Sequence, residues 1–323
     1  MKKQILVHIG DAKTGTSSIQ NYLTFNRQVL LENDILYANT GLLAANGIAN
    51  HKLAFCLNLA RKEYHDQKQT LYTELYQEIS QTKCHTIIIS SEGFSSLRTL
   101  KDITSLKELL LDYNVKIFAY LRRPDLWVES WYSQIVKNHP FITKTFEEYF
   151  KNHQEPSIKT ILNYSEVFGC ENMIVRPFEI DKLHNKNLID DFFNSIGFDK
   201  IGMCVDDINK SPNIYITELL RTLNEQIKIN DKKRIALNEY LINNIKLDSD
   251  EAKYYFSRKE RALFLEKFTK EIFEINKLFS SGDDFFDMNL AQYKEHKTEF
   301  DLNDLYFNFK SNDLISILNN TAV

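Results

Sequence analysis

The sequence predicts an α/β fold in three layers, with a central parallel sheet and a helical subdomain at its C-terminal end. Three observations carry this. Four short runs, Gln4–Ile9, Thr86–Ser90, Val115–Leu121 and Met173–Val175, are apolar almost throughout, as strands buried on both faces of a parallel sheet are. Amphipathic helical patterns alternate with these runs. Beyond about residue 205 the strand signal stops, and only three- and four-residue apolar spacings remain.

Taken in order, the first strand leads into a helix over Thr16–Leu31. Leu100–Tyr113 forms the helix before the third strand and Leu126–Lys137 the helix after it. The tail reads as helices over Thr217–Ile229, Lys232–Asn244 and Arg258–Phe279. This gives an α/β core over residues 1–205 and a mainly helical subdomain over 206–323, packed on the core and covering an acceptor site. Tyr254, Tyr255, Phe256, Phe264, Phe268, Phe273 and Phe279 read as core and lid packing.

Composition narrows the function. With 323 residues, 43% hydrophobic, the chain can bury a substantial core. A net charge of −4 argues against broad nucleic-acid binding, which needs a basic face. Met1–Gly10 is too short in apolar residues for a signal peptide, and no stretch approaches the roughly 20 apolar residues of a membrane span. Cys56, Cys84, Cys170 and Cys204 lack paired spacing and read as free thiols in a reducing cytosol. The expected location is cytoplasmic.

Chemistry concentrates in the turn after the first strand, Gly10-Asp11-Ala12-Lys13-Thr14-Gly15-Thr16-Ser17-Ser18. A strand entering a Gly-containing turn and then a helix aims backbone N–H groups and the positive helix end at an anion. Lys13 adds a mobile charge, and Thr14, Thr16, Ser17 and Ser18 add hydroxyls. The turn is P-loop-like, but Lys13 precedes Gly15, whereas a nucleoside-triphosphatase loop places its lysine after the second glycine. No apolar strand ends in an aspartate suited to magnesium; the second ends Ser90-Ser91-Glu92 and the third in arginines. A metal-dependent kinase is therefore disfavoured, and no metal site is expected.

The order Lys13-Thr14-Gly15-Thr16-Ser17-Ser18 resembles the 5′-phosphosulfate loop of sulfotransferases that use 3′-phosphoadenosine 5′-phosphosulfate (PAPS). Ala12 stands where that family usually has proline. The third strand ends Arg122-Arg123-Pro124, with Ser130 eight positions beyond Arg122, which is similar to the family's 3′-phosphate motif. Arg123 could equally make a surface salt bridge. Ile174-Val175-Arg176-Pro177-Phe178 with Asp191-Phe192-Phe193, and Asn209-Lys210-Ser211-Pro212, resemble stretches of bacterial carbohydrate-type sulfotransferases.

The resemblance implies a PAPS donor, adenosine 3′,5′-bisphosphate as product, and a hydroxyl acceptor on a glycan or glycolipid precursor. It makes Lys13 the residue that steadies the departing oxygen. The acceptor's proton acceptor is Glu92, just past the second strand, or His51, whose imidazole has a suitable pKa. His8, within the first strand, reads as buried and structural. Asp11 either repels an anion or orients Lys13. Two other functions stay open: a kinase with an atypical loop, and a nucleotide-binding protein without turnover.

Overall fold

The structure, a computed structural model, describes residues 2–43, 47–58, 60–139, 142–150, 158–199, 201–203, 214–226, 237, 239–241, 254–280 and 282–295. Cys204, the Asn209–Pro212 segment and most of the helix expected over Lys232–Asn244 lie outside these residues. None of the described helices is long and apolar enough to cross a membrane.

Five parallel strands form one sheet: β1 (Gln4–His8), β2 (Ile35–Tyr37), β3 (Thr86–Ser90), β4 (Asn114–Leu121) and β5 (Met173–Pro177), in the order β2-β3-β1-β4-β5. Central β1 pairs Leu6 with Ile88 of β3 and Val7 with Ile117 of β4. Every residue of β3 is buried, which is why its sequence reads TIIIS without alternation. The order reverses direction around β1, so the crevice beyond the carboxyl ends of β1, β3 and β4 is the position where such sheets bind ligands.

On one face, Leu6, Ile88, Phe118 and Tyr120 pack under helix α1 (Thr16–Phe25), helix α2 (Arg27–Glu32) and Phe192 and Phe193. Side chains alternate across a strand, so Ile5, Val7, Ile87 and Ile89 point to the opposite face. All four are fully buried.

Two long helices expected from periodicity are each broken. Thr16–Leu31 divides at Asn26, which is buried; its Nδ2 donates to Tyr22 O (3.0 Å) and Met203 O (3.2 Å), and its Oδ1 accepts from Met203 N (2.9 Å). A side chain committed to neighbouring backbone competes with the helix ladder. Arg258–Phe279 divides into Arg258–Glu266 and Thr269–Phe279, with Phe268 leaving helical geometry between them.

The chain forms two compact units that interleave in sequence: Met1–Arg123, Pro156–Asn209 and Phe268–Met288 in the first, and Pro124–Glu155, Lys210–Lys267 and Asn289–Val323 in the second. The first holds the whole sheet. In the second, the helix Pro124–Asn138 packs against Ile214–Gln226 and Arg258–Glu266. There Arg261, fully buried, donates from Nη1 to Asp125 and from Nη2 to both oxygens of Glu129 (3.0 and 3.1 Å). Its guanidinium lies 4.0 Å from the Tyr293 ring centre and 4.9 Å from that of Tyr254.

Candidate functional site

Beyond His8 the β1 backbone continues to Ile9, whose N–H donates to Phe118 O of β4 (3.0 Å), and then turns. Gly10 adopts φ +52°, and a Cβ there would sit 2.9 Å from both Oγ1 and Cγ2 of Thr16. Its absence lets Thr16 close over the turn. Gly15 caps α1 in the left-handed region at φ +76°, where only glycine is at ease. A Cβ on Gly15 would stand 2.3 Å from Leu188 Cδ2 and 3.1 Å from Phe178 Cε2. Those two side chains, from the segments after β5, form a wall behind the loop.

The loop is also braced from within. Thr14 Oγ1 and Thr16 Oγ1 both point at the Asp11 carbonyl, at 2.7 and 3.1 Å, and Thr14 is fully buried. Lys13, Gly15, Ser17 and Ser18 are half-buried. Lys13 itself has φ +69°, a conformation uncommon outside glycine. Gly15, the N-cap residue of α1, has no side chain to cap it, and no carboxylate lies in the first turn of the helix. The helix therefore turns a positive end of backbone amides toward the crevice.

Glu92 reaches the same turn from the end of β3. Burial pushes its carboxyl up, while the Lys13 ammonium and the Thr16 side chain draw it back toward ionisation. Ser91, fully buried, caps the short 3₁₀ turn Glu92–Ser96 by accepting from Gly93 N (2.9 Å). His51 arrives from the helix His51–Phe55, its Nδ1 lying 2.8 Å from Ser91 Oγ and its ring stacked on Phe55. Burial first, and Arg61 second, push the imidazole toward neutrality.

Asn50 fixes where His51 emerges. Its Oδ1 accepts from Ser90 N (2.9 Å), and its Nδ2 donates to Ala38 O (3.0 Å) and Thr40 O (2.8 Å). Sequence reasoning gave no role to Asn50, Ser91 or Leu188, and quoted Phe178 only as part of a resembling stretch. The side chain that carries no charge but has every polar atom spent on backbone leaves no trace in spacing.

Arg122 follows β4 directly. Its Nη1 donates to the Lys13 carbonyl (3.2 Å), and its guanidinium lies 5.9 Å from the centre of the Phe178 ring. Arg123 is not the surface residue expected as one alternative: it is 1% exposed and donates to Asp287 O. Ser130 is half-buried on the helix Pro124–Asn138, which belongs to the second unit. Thus Lys13, Thr14, Gly15, Thr16, Ser17, Ser18, Glu92, His51 and Arg122 all belong to the first unit, at the carboxyl edge of its sheet.

Two neighbouring groups take structural roles. His8 is fully buried, with Nδ1 2.7 Å from Ser90 Oγ and its ring edge-on to Phe118 and Phe192. Burial lowers its pKa to about 3, so it is neutral. Asp191, fully buried, accepts from Arg176 Nη2 (2.7 Å), Tyr120 OH (2.8 Å) and His184 N (2.8 Å). The Arg176 and Asp191 of the sequence motif are therefore a clamp between β5 and the helix Leu188–Ser195, which carries Leu188 against Gly15.

No protein-family model matches the chain. It is 31% identical over 184 residues to an uncharacterized protein of Archaeoglobus fulgidus, a match that takes in 56% of this chain. The chain spans about half the length of that relative, 50%. Among solved structures it is similar to a sulfotransferase from Alicyclobacillus acidocaldarius, with TM-score 0.40 and 19% identity over 75% of this chain and 96% of that one. It is also similar to a chain of the PezAT chromosomal toxin-antitoxin system of Streptococcus pneumoniae, with TM-score 0.30 and 12% identity over 75% of this chain and 87% of that one.

Proposed function

We propose that this chain is a sulfotransferase that moves the sulfuryl group of PAPS to a hydroxyl, on a glycan or glycolipid precursor. One observation carries the reading: the Arg122 guanidinium is seated on the Lys13 carbonyl, so two anion-binding elements from separate strands meet at one sheet edge. A donor phosphorylated at both its 5′ and 3′ positions needs two such elements. The N-terminal end of α1 and the amides of the turn suit the 5′-phosphosulfate, and Arg122 suits the 3′-phosphate. Ser130 is assigned to the 3′-phosphate on the spacing of the sequence motif alone.

In this reading the acceptor oxygen attacks sulfur in line with the bridging oxygen of the donor. The new S–O bond forms as the bridging S–O bond breaks, and the departing electron pair stays on the 5′-phosphate of adenosine 3′,5′-bisphosphate. Lys13 stabilises charge on that bridging oxygen, a group placed where charge develops. The leaving group is already a phosphate held by cations and amides, so the reading asks for no metal. The acceptor's proton passes to Glu92 or His51, the two titratable groups on either side of Ser91. Rate enhancement comes from positioning and from fixed electrostatics.

Release of adenosine 3′,5′-bisphosphate from PAPS, followed with a panel of glycan and glycolipid hydroxyl acceptors, tests the proposal. Acceptor-dependent release is expected from the native protein, with a loss of at least about a hundredfold in Lys13→Ala. Undiminished release from Lys13→Ala would remove the loop from the chemistry.

A further inference from the structure

Ser91 has no role in the reading so far, yet it stands between the two candidate bases. It is fully buried, and its hydroxyl oxygen has two partners among the described residues: the Gly93 N–H at 2.9 Å and His51 Nδ1 at 2.8 Å. A serine hydroxyl has one proton to give and two lone pairs to fill. Gly93 N–H is a donor under every condition, so it occupies one lone pair. The proton of Ser91 must then find an acceptor, because a buried donor left unmade is costly.

Among those partners, only His51 Nδ1 can accept. If Nδ1 carried a proton instead, Ser91 Oγ would receive two N–H donors and its own proton would have no partner. The two arrangements differ by one buried hydrogen bond, which favours the first by about 5- to 150-fold. An imidazolium would donate from both ring nitrogens and leave the Ser91 proton without an acceptor, and burial and the neighbouring Arg61 lower the pKa of His51 and so disfavour that cation. Its stacking on Phe55, at 5.4 Å and 5° between planes, fixes the ring orientation. Arg61 in turn lies 4.4 Å from the centre of the Phe55 ring, which keeps positive charge on that side of the stack.

We propose that Ser91 is a positioning residue that sets the tautomer of His51, making the imidazole a neutral hydrogen-bond donor through Nε2–H. A ring in this state has its basic nitrogen occupied by Ser91 and presents a proton outward. Resting on the sulfotransferase reading, the consequence is a division of labour. His51 Nε2–H donates to an oxygen of the transferred group or its acceptor, and Glu92 takes the acceptor's proton. The acceptor O–H bond breaks toward the Glu92 carboxylate while the oxygen bonds to sulfur and the bridging S–O bond opens. The products are the sulfate ester, adenosine 3′,5′-bisphosphate and a protonated Glu92. Glu92 suits this part, because burial makes it a stronger base than an exposed carboxylate while Lys13 and Thr16 keep it able to ionise.

Long-range proton–nitrogen correlation spectra of the imidazoles, recorded near neutral pH on the full chain without nucleotide, read the tautomer directly. His51 is assigned as the pattern that disappears in His51→Gln. The expected pattern has the proton on Nε2. Ser91→Ala should convert it to a mixture of tautomers or reverse it, and Ser91→Thr, which keeps the hydroxyl, should restore it. A proton on Nδ1 in the native protein overturns the proposal, as does a His51 pattern unchanged in a folded Ser91→Ala. Because nothing in this spectrum depends on nucleotide, its outcome stands apart from that of the transfer assay.

Discussion

Arg122 holds the Lys13 loop by its backbone: Nη1 donates to the Lys13 carbonyl across 3.2 Å, and Lys13 sits at a positive φ of 69°. The contact does two things at once. It helps keep a non-glycine residue in the left-handed region, a conformation that surrounding structure must enforce. It also places a guanidinium, with its fork of further donors, beside the cationic loop. The same residue is thus a brace for one proposed phosphate site and the reader of another.

Replacing Gly15 tests whether the wall behind the loop is as close as it stands. Gly15→Ala puts a Cβ 2.3 Å from Leu188 Cδ2 at φ +76°. The left-handed conformation alone costs about 1–2 kcal/mol for a non-glycine residue. A destabilisation of about 2–4 kcal/mol by urea unfolding is expected, partly relieved in Gly15→Ala combined with Leu188→Ala. Strict additivity of the two changes would show that the side chains do not meet.

Glu92 gives a stability profile with a defined direction. Its folded carboxyl titrates above the ordinary carboxylate range, because burial outweighs the pull of Lys13 and Thr16. The folded state therefore holds the proton longer than the unfolded chain does. The cost of the buried charge is absent below the unfolded pKa and complete above the folded one. Glu92→Gln is expected to raise the melting temperature at pH 7 and to match the native protein near pH 4. A variant equally or less stable at pH 7 contradicts this account of the carboxyl.

The second unit is fastened by Arg261 between Asp125 and Glu129, all three nearly or fully buried. Removing the cation leaves two carboxylates in an apolar setting, a loss on the order of 3–5 kcal/mol. Burial already raises Glu129 to about 7 with Arg261 present. Arg261→Met should therefore lose less stability at pH 5 than at pH 8, since protonated carboxyls need no cation. Equal losses at the two pH values in denaturant titrations would show that packing on Tyr254 and Tyr293, rather than charge, sets the cost.

How much of this was legible in the sequence follows from what each element needs. Strands β1, β3 and β4 are apolar almost throughout, so a run of four or more residues announces them, whereas β5 shows only the three apolar residues Met173–Val175 before Arg176. Ile35–Tyr37 is too short to show a pattern, and β2 is legible only as the partner of β3. The break at Asn26 depends on Met203, 177 positions away, a contact no local pattern encodes. The loop is readable because glycine, lysine and hydroxyls cluster within nine positions. Its supports are not: Phe178 and Leu188 look like ordinary core residues, and Asn50 and Ser91 act through backbone contacts and a single imidazole. Arg176 and Asp191 stand in a recognisable motif, but that they form an ion pair across 2.7 Å is visible only in the fold.

The central claim is that the Lys13 loop and Arg122 hold the two phosphates of one nucleotide. Calorimetric titration of adenosine 3′,5′-bisphosphate into the native protein with a metal chelator present measures this most directly, with Arg122→Ala and magnesium–ATP as comparisons. The account predicts saturable binding of the bisphosphate without metal, weakened about 10- to 100-fold in Arg122→Ala through loss of charge-assisted hydrogen bonds. Binding of magnesium–ATP with no binding of the bisphosphate would contradict it.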